Sequence, residues 1–485
     1  MATTMKTLPV GDCVWEIPPS EKPGMLVPAR IYASEALLAR MDEGVFEQVT
    51  NVACLPGIVR AALCMPDGHW GYGFPIGGVA AFRADTGVIS PGGIGFDINC
   101  GMRVLRTSLT EAEVRPKLAE LVDALFAAVP SGVGSKGLVR LSGDEFDEVM
   151  REGARWCVRR GYGWPEDLDA TEGGGCLPGA DPDQVSQRAV TRGRDQLGTL
   201  GSGNHYLEIQ VVPPGGIHDP RVAKVFGIEQ PGQILIMLHC GSRGFGHQIG
   251  TDYLRRFDQI MHGYGIVVRD RELACAPFRS PEGRAYFGAM LAAANSAFAN
   301  RQLITHRVRE VMGRVFGRDP RDLGLGVIYD VCHNTAKLER HAVDGEPLEL
   351  VVHRKGATRA FGPGAPDVPA AYREVGQPVI IGGSMETGSA LLVGTAHAMT
   401  ETFGSTAHGA GRTMSRAKAK RLVWGETLIK QMGERGIVVR AASKSGVAEE
   451  AGFAYKDLGE VVDVVNRLDI SRKVVSLTPI GNIKG

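Results

Sequence analysis

Three histidines stand where an apolar run meets a loop rich in glycine or asparagine, namely His205, His239 and His333. A neutral imidazole at the end of a strand is well placed to bind a metal ion. A single histidine in such a position is more often a hydrogen-bonded core residue. Three of them together favour a shared metal site.

A carboxylate and a thiol, those of Asp97 and Cys100, lie close together in the glycine-dense stretch 92–101. Two such side chains can hold one cation, and a thiolate sulfur can bridge two. The alternative is a structural turn with a buried cysteine. Thiolate and imidazole suit Zn²⁺, whereas carboxylate and open oxygen positions suit Mn²⁺ or Mg²⁺, so the residue types leave the metal open.

A further histidine, His408, opens a turn that contains glycine at 409 and 411 and leads into a basic stretch. Small residues allow a phosphate to approach the backbone, and a helix N-terminus stabilises its charge. Imidazole can also attack phosphorus, since it forms phosphoramidates and is a good leaving group. The turn is therefore either a nucleophile site or a phosphate-binding turn in which His408 is only a donor.

Basic residues collect at three places in a chain whose 54 Lys and Arg balance its 54 Asp and Glu. The zero net charge gives no support to a whole-molecule attraction for nucleic acid or membranes. Local clusters can still bind a nucleic-acid backbone, although a solvated helix face explains each cluster equally well. The clusters are Arg188, Arg192 and Arg194; His353, Arg354 and Lys355; and Arg412, Arg416, Lys418, Lys420 and Arg421.

The elements that must position these residues mix along the chain. Apolar periodicity predicts helices over 34–48, 110–128, 281–316 and 412–432. Short apolar runs bounded by glycine and proline predict strands at 76–82, 88–90, 103–106, 206–212, 234–239, 327–331, 348–353, 379–381 and 390–393. Residues 129–204 read as loops, and residues 476–485 lack a helical period.

Length and composition fit one large α+β body. The 485 residues are 44% hydrophobic and 22% charged, which excludes bulk disorder. With no repeat and no long linker, we expect a single domain over 1–485, with mixed β-sheets in the core flanked by helices. It includes an N-terminal segment over 1–60 and a basic helix with a C-terminal tail over 412–485. Nine cysteines without a CxxC pattern, and the lack of a signal-like or membrane-spanning stretch, predict a cytoplasmic protein with no membrane attachment.

Taken together, these segments resemble the RtcB family of GTP-dependent RNA-splicing ligases, in the family's order and from about residue 65 to 485. The segments that carry the resemblance are Asp67-Gly68-His69, residues 95–101, 201–208 and 239–246, His333-Asn334, residues 353–357 and 408–412, and Pro479-Ile480-Gly481-Asn482-Ile483-Lys484-Gly485. The family joins RNA ends that bear a 2′,3′-cyclic phosphate or 3′-phosphate to 5′-hydroxyl ends, using GTP and Mn²⁺. Its roles are tRNA splicing and RNA repair.

The resemblance implies a role for each candidate residue. Two Mn²⁺ ions would share the Cys100 thiolate, and His408 would attack the α-phosphorus of GTP and carry GMP covalently. The implied metal ligands are Asp97, Cys100 and His205 for one ion, and Cys100, His239 and His333 for the other. The implied nucleotide contacts are Asn204 and Asn334 on phosphate, Glu208 and Lys484 on the guanine edge, and a lining of Gly382, Gly383, Ser384, Met385, Ser389, Gly409, Ala410 and Gly411.

The implied partners are RNA and an archease-like activating protein, with RNA contacts at Arg188, Arg192, Arg194, Arg412 and Arg416. One segment departs from the family: residues 382–386 read Gly-Gly-Ser-Met-Glu, where the family more often has Pro first and Gly last.

Two other functions stay open. A metal-dependent phosphodiesterase or phosphatase acting on RNA ends would need the metal ligands but neither His408 nor a guanine reader, and a non-catalytic RNA-binding protein would need neither.

Overall fold

The computed structural model describes residues 5–485. Its helices are short apart from two. They are α1 (Glu35–Ala39), α2 (Glu43–Val52), α3 (Glu111–Val114), α4 (Leu118–Ala128), α5 (Gly143–Glu152), α6 (Ala154–Arg159), α7 (Glu166–Asp169), α8 (Gln187–Arg194), α9 (Pro220–Val225), α10 (Arg243–Ile260), α11 (Pro281–Phe316), α12 (Ala396–Glu401), α13 (Arg416–Leu422), α14 (Gly425–Glu434), α15 (Lys444–Glu449) and α16 (Leu458–Arg467).

The strands run through the same span, so the α+β prediction is confirmed. They are β1 (Leu8–Gly11), β2 (Val14–Ile17), β3 (Ala29–Tyr32), β4 (Ala62–His69), β5 (Ile76–Arg83), β6 (Val88–Ile89), β7 (Gly101–Thr110), β8 (Tyr206–Val211), β9 (Gln233–Cys240), β10 (Ala276–Pro277), β11 (Val327–Cys332), β12 (Asn334–Val343), β13 (Glu346–Lys355), β14 (Ala357–Arg359), β15 (Pro378–Gly382), β16 (Ser389–Gly394), β17 (Ser405–Ala407), β18 (Val438–Ala441) and β19 (Ser471–Lys484).

Two large mixed sheets form the framework. One has seven strands in the order β1-β2-β3-β4-β5-β13-β12, and the other has eight, in the order β11-β7-β9-β8-β19-β16-β15 with β18 beside β19. Most pairs are antiparallel, while β3 with β4 and β18 with β19 are parallel. Strand β9 is buried along its whole length, which is typical of a central strand covered on both faces.

The longest helix, α11, begins and ends where local chemistry dictates. Ser280 caps its first turn by accepting a hydrogen bond from the Gly283 amide, and Pro281 occupies the first helical position. Gly317 ends it in the left-handed conformation at φ 65°, which costs a glycine little. The helix covers the eight-stranded sheet with a largely buried surface.

Strand register brings the predicted metal ligands to one edge of the eight-stranded sheet. Gly101 pairs with Cys240 on β9 and with Cys332 on β11. Tyr206, the first residue of β8, pairs with His239. Cys100, His205 and His333 therefore flank strand ends at the level of His239.

Several local predictions differ from the structure. The segment 1–60 contains the strands β1–β3, at one side of the seven-stranded sheet, besides its helices. Residues 129–204 contain α5 to α8 as well as loops. The helix predicted over 412–432 is two helices, α13 and α14, separated by extended backbone at Val423 and Trp424. The tail at 476–485 belongs to β19, the strand that joins β8 to β16. Among residues 5–485, no helix combines the length and apolar character needed to cross a bilayer.

Candidate metal and nucleotide site

Five predicted metal ligands meet in one buried cluster. The Cys100 Sγ lies 3.2 Å from His239 Nε2 and 3.4 Å from His205 Nε2. The Nε2 atoms of His239 and His333 are 3.2 Å apart, and His205 Nε2 is 2.8 Å from Asp97 Oδ2. The donor atoms form two triads that share Cys100, one completed by Asp97 and His205 and the other by His239 and His333.

The chemistry of these donors fits a pair of divalent cations. Burial lowers the pKa values of all three histidines, those of His239 and His333 well below the usual range, so the imidazoles are neutral as metal ligands must be. His239 Nδ1 lies 3.1 Å from the Asn204 carbonyl oxygen. Because that contact requires a proton on Nδ1, the Nε2 lone pair is directed into the cluster.

Burial raises the pKa values of both acidic ligands, Asp97 and Cys100, but their net pKa shifts are opposite. Burial alone raises the pKa of Asp97, but the hydrogen bond from His205 and the nearby charge of Arg243 outweigh it and hold that pKa below its usual range. Burial, followed by the Asp97 charge, raises the pKa of the Cys100 thiol well above its usual value. A thiol in such a place becomes a thiolate only when a cation compensates the buried charge.

His408 stands beside this cluster and is held by a carboxylate. Its ring centroid is 4.6 Å from that of His333. Its Nδ1 donates to Asp67 Oδ2 over 2.6 Å, and the amides of His408 and Gly409 donate to the same oxygen at 3.1 and 3.2 Å. With Nδ1 protonated, the Nε2 atom carries the free lone pair.

The backbone around His408 leaves no room for larger residues. A Cβ on Gly356, which has φ 59°, would lie 3.1 Å from His408 Cε1 and 2.2 Å from the Ile76 side chain. A Cβ on Gly411 would lie 2.2 Å from the Asp67 carbonyl oxygen. Glycine at these two positions is therefore required by close approach, which agrees with the sequence-based expectation of a tight turn.

A cavity of about 890 Å³ opens over the cluster and His408. Most of the predicted site residues line it, and they come from both ends of the chain. Those lining it are Asp97, Cys100, Asn204, His239, His333, Asn334, Gly382, Gly383, Ser384, Met385, His408, Gly409, Ala410, Gly411, Arg412, Arg416 and Lys484.

Two predicted nucleotide contacts lie behind the wall of this cavity. Glu208 is buried, and its carboxylate accepts hydrogen bonds from the amides of Gln210 and Asn482. Ser389 Oγ accepts a hydrogen bond from Gln210 Nε2 at 3.1 Å. Burial raises the pKa of Glu208 to about 7, against the lowering effect of the Lys484 charge. Guanine would reach Glu208 only if these amides release it.

Asn334 and Lys484 already have protein partners. The Asn334 amide donates to the Asp97 carbonyl oxygen at 3.1 Å and accepts from the Gly356 amide at 2.9 Å. It thereby ties the Asp97 loop to the start of β14. Lys484 Nζ lies 3.3 Å from the Gly203 carbonyl oxygen, and burial lowers its pKa.

The basic clusters have different surroundings. Arg412 and Arg416 line the cavity, but both pair with the buried carboxylate of Glu450, at 3.3 and 2.9 Å. Arg188 lines a separate surface depression beside α10. Arg192 donates to Gln248 at 2.9 Å, and Arg194 lies 3.6 Å from Asp195.

The middle cluster is mostly structural, which corrects its interpretation as a nucleic-acid contact. His353 and Arg354 are buried, and Arg354 forms an ion pair with Glu339 at 2.6 Å. Lys355 lines the cavity, with its Nζ 3.1 Å from the Gly92 carbonyl oxygen. Consecutive basic residues in a strand point to alternate faces of the sheet, so the sequence alone does not show which of their side chains are buried.

Some residues at the site were not predicted. Asp67 belongs to a segment that carries the resemblance, but its contact with His408 spans 341 residues of sequence. Arg243, whose guanidinium lies 3.2 Å from His205 Nδ1, and Glu450 likewise reach the site only through the fold. The unusual Glu386 pairs with Arg435 at 2.8 Å and accepts from the Gly452 amide at 2.6 Å. Glu386, which departs from the family pattern, therefore has partners within the fold.

Sequence similarity relates this chain to one family of known proteins. A family model described as tRNA-splicing ligase RtcB matches residues 48–485. A protein named tRNA-splicing ligase RtcB from Archaeoglobus fulgidus is 55% identical over 476 residues, or 98% of each chain. Proteins of the same name from Pyrobaculum aerophilum and Thermococcus kodakarensis are 54% and 55% identical. The former alignment covers 99% of this chain and 100% of the relative, and the latter covers 97% of both.

Proposed function

Because this chain belongs to the RtcB family of tRNA-splicing ligases, we propose that it joins RNA ends through a guanylyl-histidine intermediate on His408. The substrates are a 2′,3′-cyclic phosphate or 3′-phosphate end, a 5′-hydroxyl end and GTP. The observation that carries the proposal is the imidazole of His408, held by Asp67 through Nδ1 and next to His333 in the donor cluster.

Two Mn²⁺ ions fit the two donor triads. Asp97, Cys100 and His205 would hold one, and Cys100, His239 and His333 would hold the other. When bound, the ions supply positive charge that offsets charge developing on the phosphates. The chain's own contribution is to fix the ligand atoms, since Asn204 sets the proton on His239 and Asn334 anchors the Asp97 loop.

The first chemical step uses the free lone pair of His408 Nε2. This nitrogen attacks the α-phosphorus of GTP, an N–P bond forms, and the bond to the β-phosphate oxygen breaks with release of pyrophosphate. Asp67 keeps the proton on Nδ1 and stabilises the positive charge that the ring acquires. The glycine turn 409–411 leaves space for the phosphate beside the backbone.

The remaining steps transfer GMP and then release it. An oxygen of the RNA 3′-phosphate attacks the phosphorus on His408, the N–P bond breaks, and the RNA end carries GMP. The 5′-hydroxyl of the other RNA then attacks the activated phosphate, and GMP leaves as the phosphodiester forms. A cyclic phosphate must first be opened by water to give the 3′-phosphate.

Guanine selection rests on Glu208 and Lys484. A carboxylate accepts from the guanine N1–H and 2-amino group, and an ammonium donates to O6, whereas adenine presents the reverse pattern. The cavity residues Asn204, Asn334 and 382–385 would surround the triphosphate and ribose. Ser389 would act through Gln210, with which it shares a hydrogen bond.

Guanylylation of His408 tests the proposal directly. The full chain is incubated with α-labelled GTP and Mn²⁺, denatured, and analysed for retained label and for the mass of one added GMP. We expect a labelled protein, loss of the label in His408→Ala, and full labelling of His218→Ala, which alters an exposed histidine outside the cavity. Absence of an adduct from the wild type with every divalent metal would refute the ligase mechanism.

The same preparation separates the two alternative functions. Release of phosphate from RNA ends without an adduct would indicate the phosphodiesterase or phosphatase. RNA affinity unchanged by Cys100→Ala, together with no end joining, would indicate a non-catalytic RNA-binding protein. Joining of a 3′-phosphate RNA to a 5′-hydroxyl RNA, lost in Cys100→Ala and His408→Ala, is the result expected of the ligase.

The proposal extends to the cellular setting. We propose a cytoplasmic enzyme of tRNA splicing or RNA repair, organised as one catalytic domain and assisted by an archease-like activator. Its nine cysteines are free thiols, which agrees with a reducing compartment. Addition of such an activator to the guanylylation reaction tests that partner.

A further inference from the structure

An exposed tryptophan stands at the rim of the catalytic cavity. Trp70 is 61% exposed, although a large aromatic side chain is usually buried. It lines the same cavity as His408 and the metal ligands. It is also only three residues from Asp67, a separation that extended chain can span over at most about 11 Å. The indole and His408 therefore border the same cavity.

The indole of Trp70 packs against a glycine in a neighbouring helix. Its six-membered ring lies against Gly44 in the first turn of α2, where a Cβ would be 2.0 Å from two ring atoms. Gly44 has no positive φ that would require glycine, so its lack of a side chain serves to admit the indole. One side of the ring is thus held by the protein, while much of the remainder is open to solvent.

Cationic side chains line the same cavity as the indole. They offer hydrogen-bond donors to phosphate groups, whereas the exposed part of the indole offers a flat apolar surface. The cations are Arg40, Lys355, Arg412, Arg416, Lys456 and Lys484. This combination of a stacking surface and a basic groove is typical of sites for single-stranded nucleic acid.

We propose that Trp70 is a stacking platform for a base at the single-stranded 3′-phosphate end of the RNA substrate. The inference rests on the proposed function, since it is the terminal phosphate that must reach His408. Bases in a duplex are already stacked on their neighbours, whereas an unpaired terminal base gains from an exposed aromatic ring. Stacking reads no base edge, so the platform accepts any base and favours unpaired ends.

RNA affinity of matched variants tests the platform. Binding of a short fluorescent RNA with a 3′-phosphate is measured by anisotropy on the full chain without GTP. We expect Trp70→Ala to weaken binding about tenfold, in the range known for base stacking on an aromatic ring, and Trp70→Phe to retain most of the affinity. Trp424→Ala should bind like the wild type, because Trp424 is 84% exposed but does not line the cavity.

A second variant moves the indole without removing it. Gly44→Ala favours the helix intrinsically but places a methyl group where the indole lies. We expect it to weaken RNA binding while the melting temperature stays within a few degrees of the wild type. A residue that mattered only for folding would give loss of affinity and loss of stability together.

An RNA lacking the terminal base identifies what the indole contacts. Replacing the last or penultimate nucleotide by an abasic one should weaken wild-type binding about tenfold at one position and leave Trp70→Ala almost unaffected there. Equal losses for both proteins at both positions would overturn the proposal and would point to another occupant, such as a protein. Guanylylation of His408 needs no RNA, so its failure in the wild type would instead refute the proposed function.

Discussion

The proposed nucleophile, His408, is oriented by one carboxylate, that of Asp67. An imidazole can hold its proton on either nitrogen, and only the unprotonated nitrogen can attack phosphorus. Asp67 is fully buried and directs one oxygen at Nδ1 of His408 and at two backbone amides. It therefore fixes both the ring orientation and the position of the lone pair.

Replacing Asp67 by asparagine should slow guanylylation without emptying the metal site. Asp67→Asn keeps the shape but removes the charge that stabilises the imidazolium, so we expect the rate of label incorporation to fall roughly 10²- to 10⁴-fold. The affinity for Mn²⁺, measured by calorimetric titration, should remain within a few-fold of the wild type. Equal loss of metal affinity and rate would mean that Asp67 holds the cluster together instead.

Glu208 should make the stability of the protein depend on pH. Burial raises its pKa to about 7 in the folded chain, from about 4.3 when exposed. Between these values the folded state holds a proton that the unfolded state lacks, so stability falls as pH rises through this window and is level above it. The loss is on the order of 3 kcal/mol.

Glu208→Gln carries no charge at any pH and should lose this dependence. The difference in unfolding free energy between variant and wild type should therefore shift in favour of the variant from pH 4.5 to pH 8. The Gln210 and Asn482 side-chain oxygens lack hydrogen-bond partners, and a glutamine amide at 208 can donate to one of them. Parallel pH curves for the two proteins would contradict the assignment.

At the scale of elements, helix α11 ties together the strands that carry the proposed metal ligands. The Arg301 guanidinium donates to the carbonyl oxygens of Asn99 and Cys240, each next to a proposed ligand. Asp330 on β11 accepts from Arg301 and from Arg103 on β7 at 2.7 to 2.9 Å. All three side chains are fully buried. One helix thus holds β7, β9 and β11 in register at the site.

Breaking this network should be costly. Asp330→Ala would leave two buried arginine charges without their carboxylate partner, and removing one partner of a buried pair typically costs about 3–5 kcal/mol. Urea unfolding should record a loss at or above that range. Glu310→Ala on the same helix removes an exposed partner of Arg307 and should cost less than about 1 kcal/mol. Similar losses for both variants would contradict this ranking.

The sequence predicts a helix or strand accurately when the residues that define it are close together in the chain. Helix α11 was predicted over its exact span because its apolar periodicity is long and local in sequence, with Pro281 at its start. Helices α6 and α7 have only six and four residues, too few to show a period. Helix α5 was overlooked, although Phe146, Val149 and Met150 have helical spacing after the capping box at Ser142. Strand β19 was missed because its neighbours, β8 and β16, are remote in sequence.

The candidate site likewise has a part that the sequence predicted and a part that it did not. The ligand types at 97, 100, 205, 239 and 333 suggested a metal site, and register at the sheet edge explains why they meet. The pairing of Asp67 with His408, and of Glu450 with Arg412 and Arg416, could not be predicted. These contacts depend on how distant strands and loops pack, which no spacing within the sequence encodes.

On the scale of the whole molecule, basic residues are concentrated at one cavity, although the chain has no net positive charge. The chain is neutral overall, yet five lysine or arginine residues besides Arg40 line one cavity. Glu450 holds two of them, Arg412 and Arg416, in ion pairs. An incoming RNA phosphate must therefore compete with a carboxylate already in place. We expect Glu450→Gln to bind RNA more tightly than the wild type.

The salt dependence of RNA binding should identify the arginines that contact phosphate. Each neutralised phosphate on a single strand contributes about 0.7 to the slope of log affinity against log salt, so Arg412→Ala and Arg416→Ala should each weaken binding and flatten that slope by about this amount. Arg307→Ala, on the exposed face of α11, should leave both unchanged. The same measurement on Arg188→Ala, Arg192→Ala and Arg194→Ala tests the other proposed contacts. If binding at low and moderate salt were identical in Arg416→Ala and the wild type, RNA would not enter over α13.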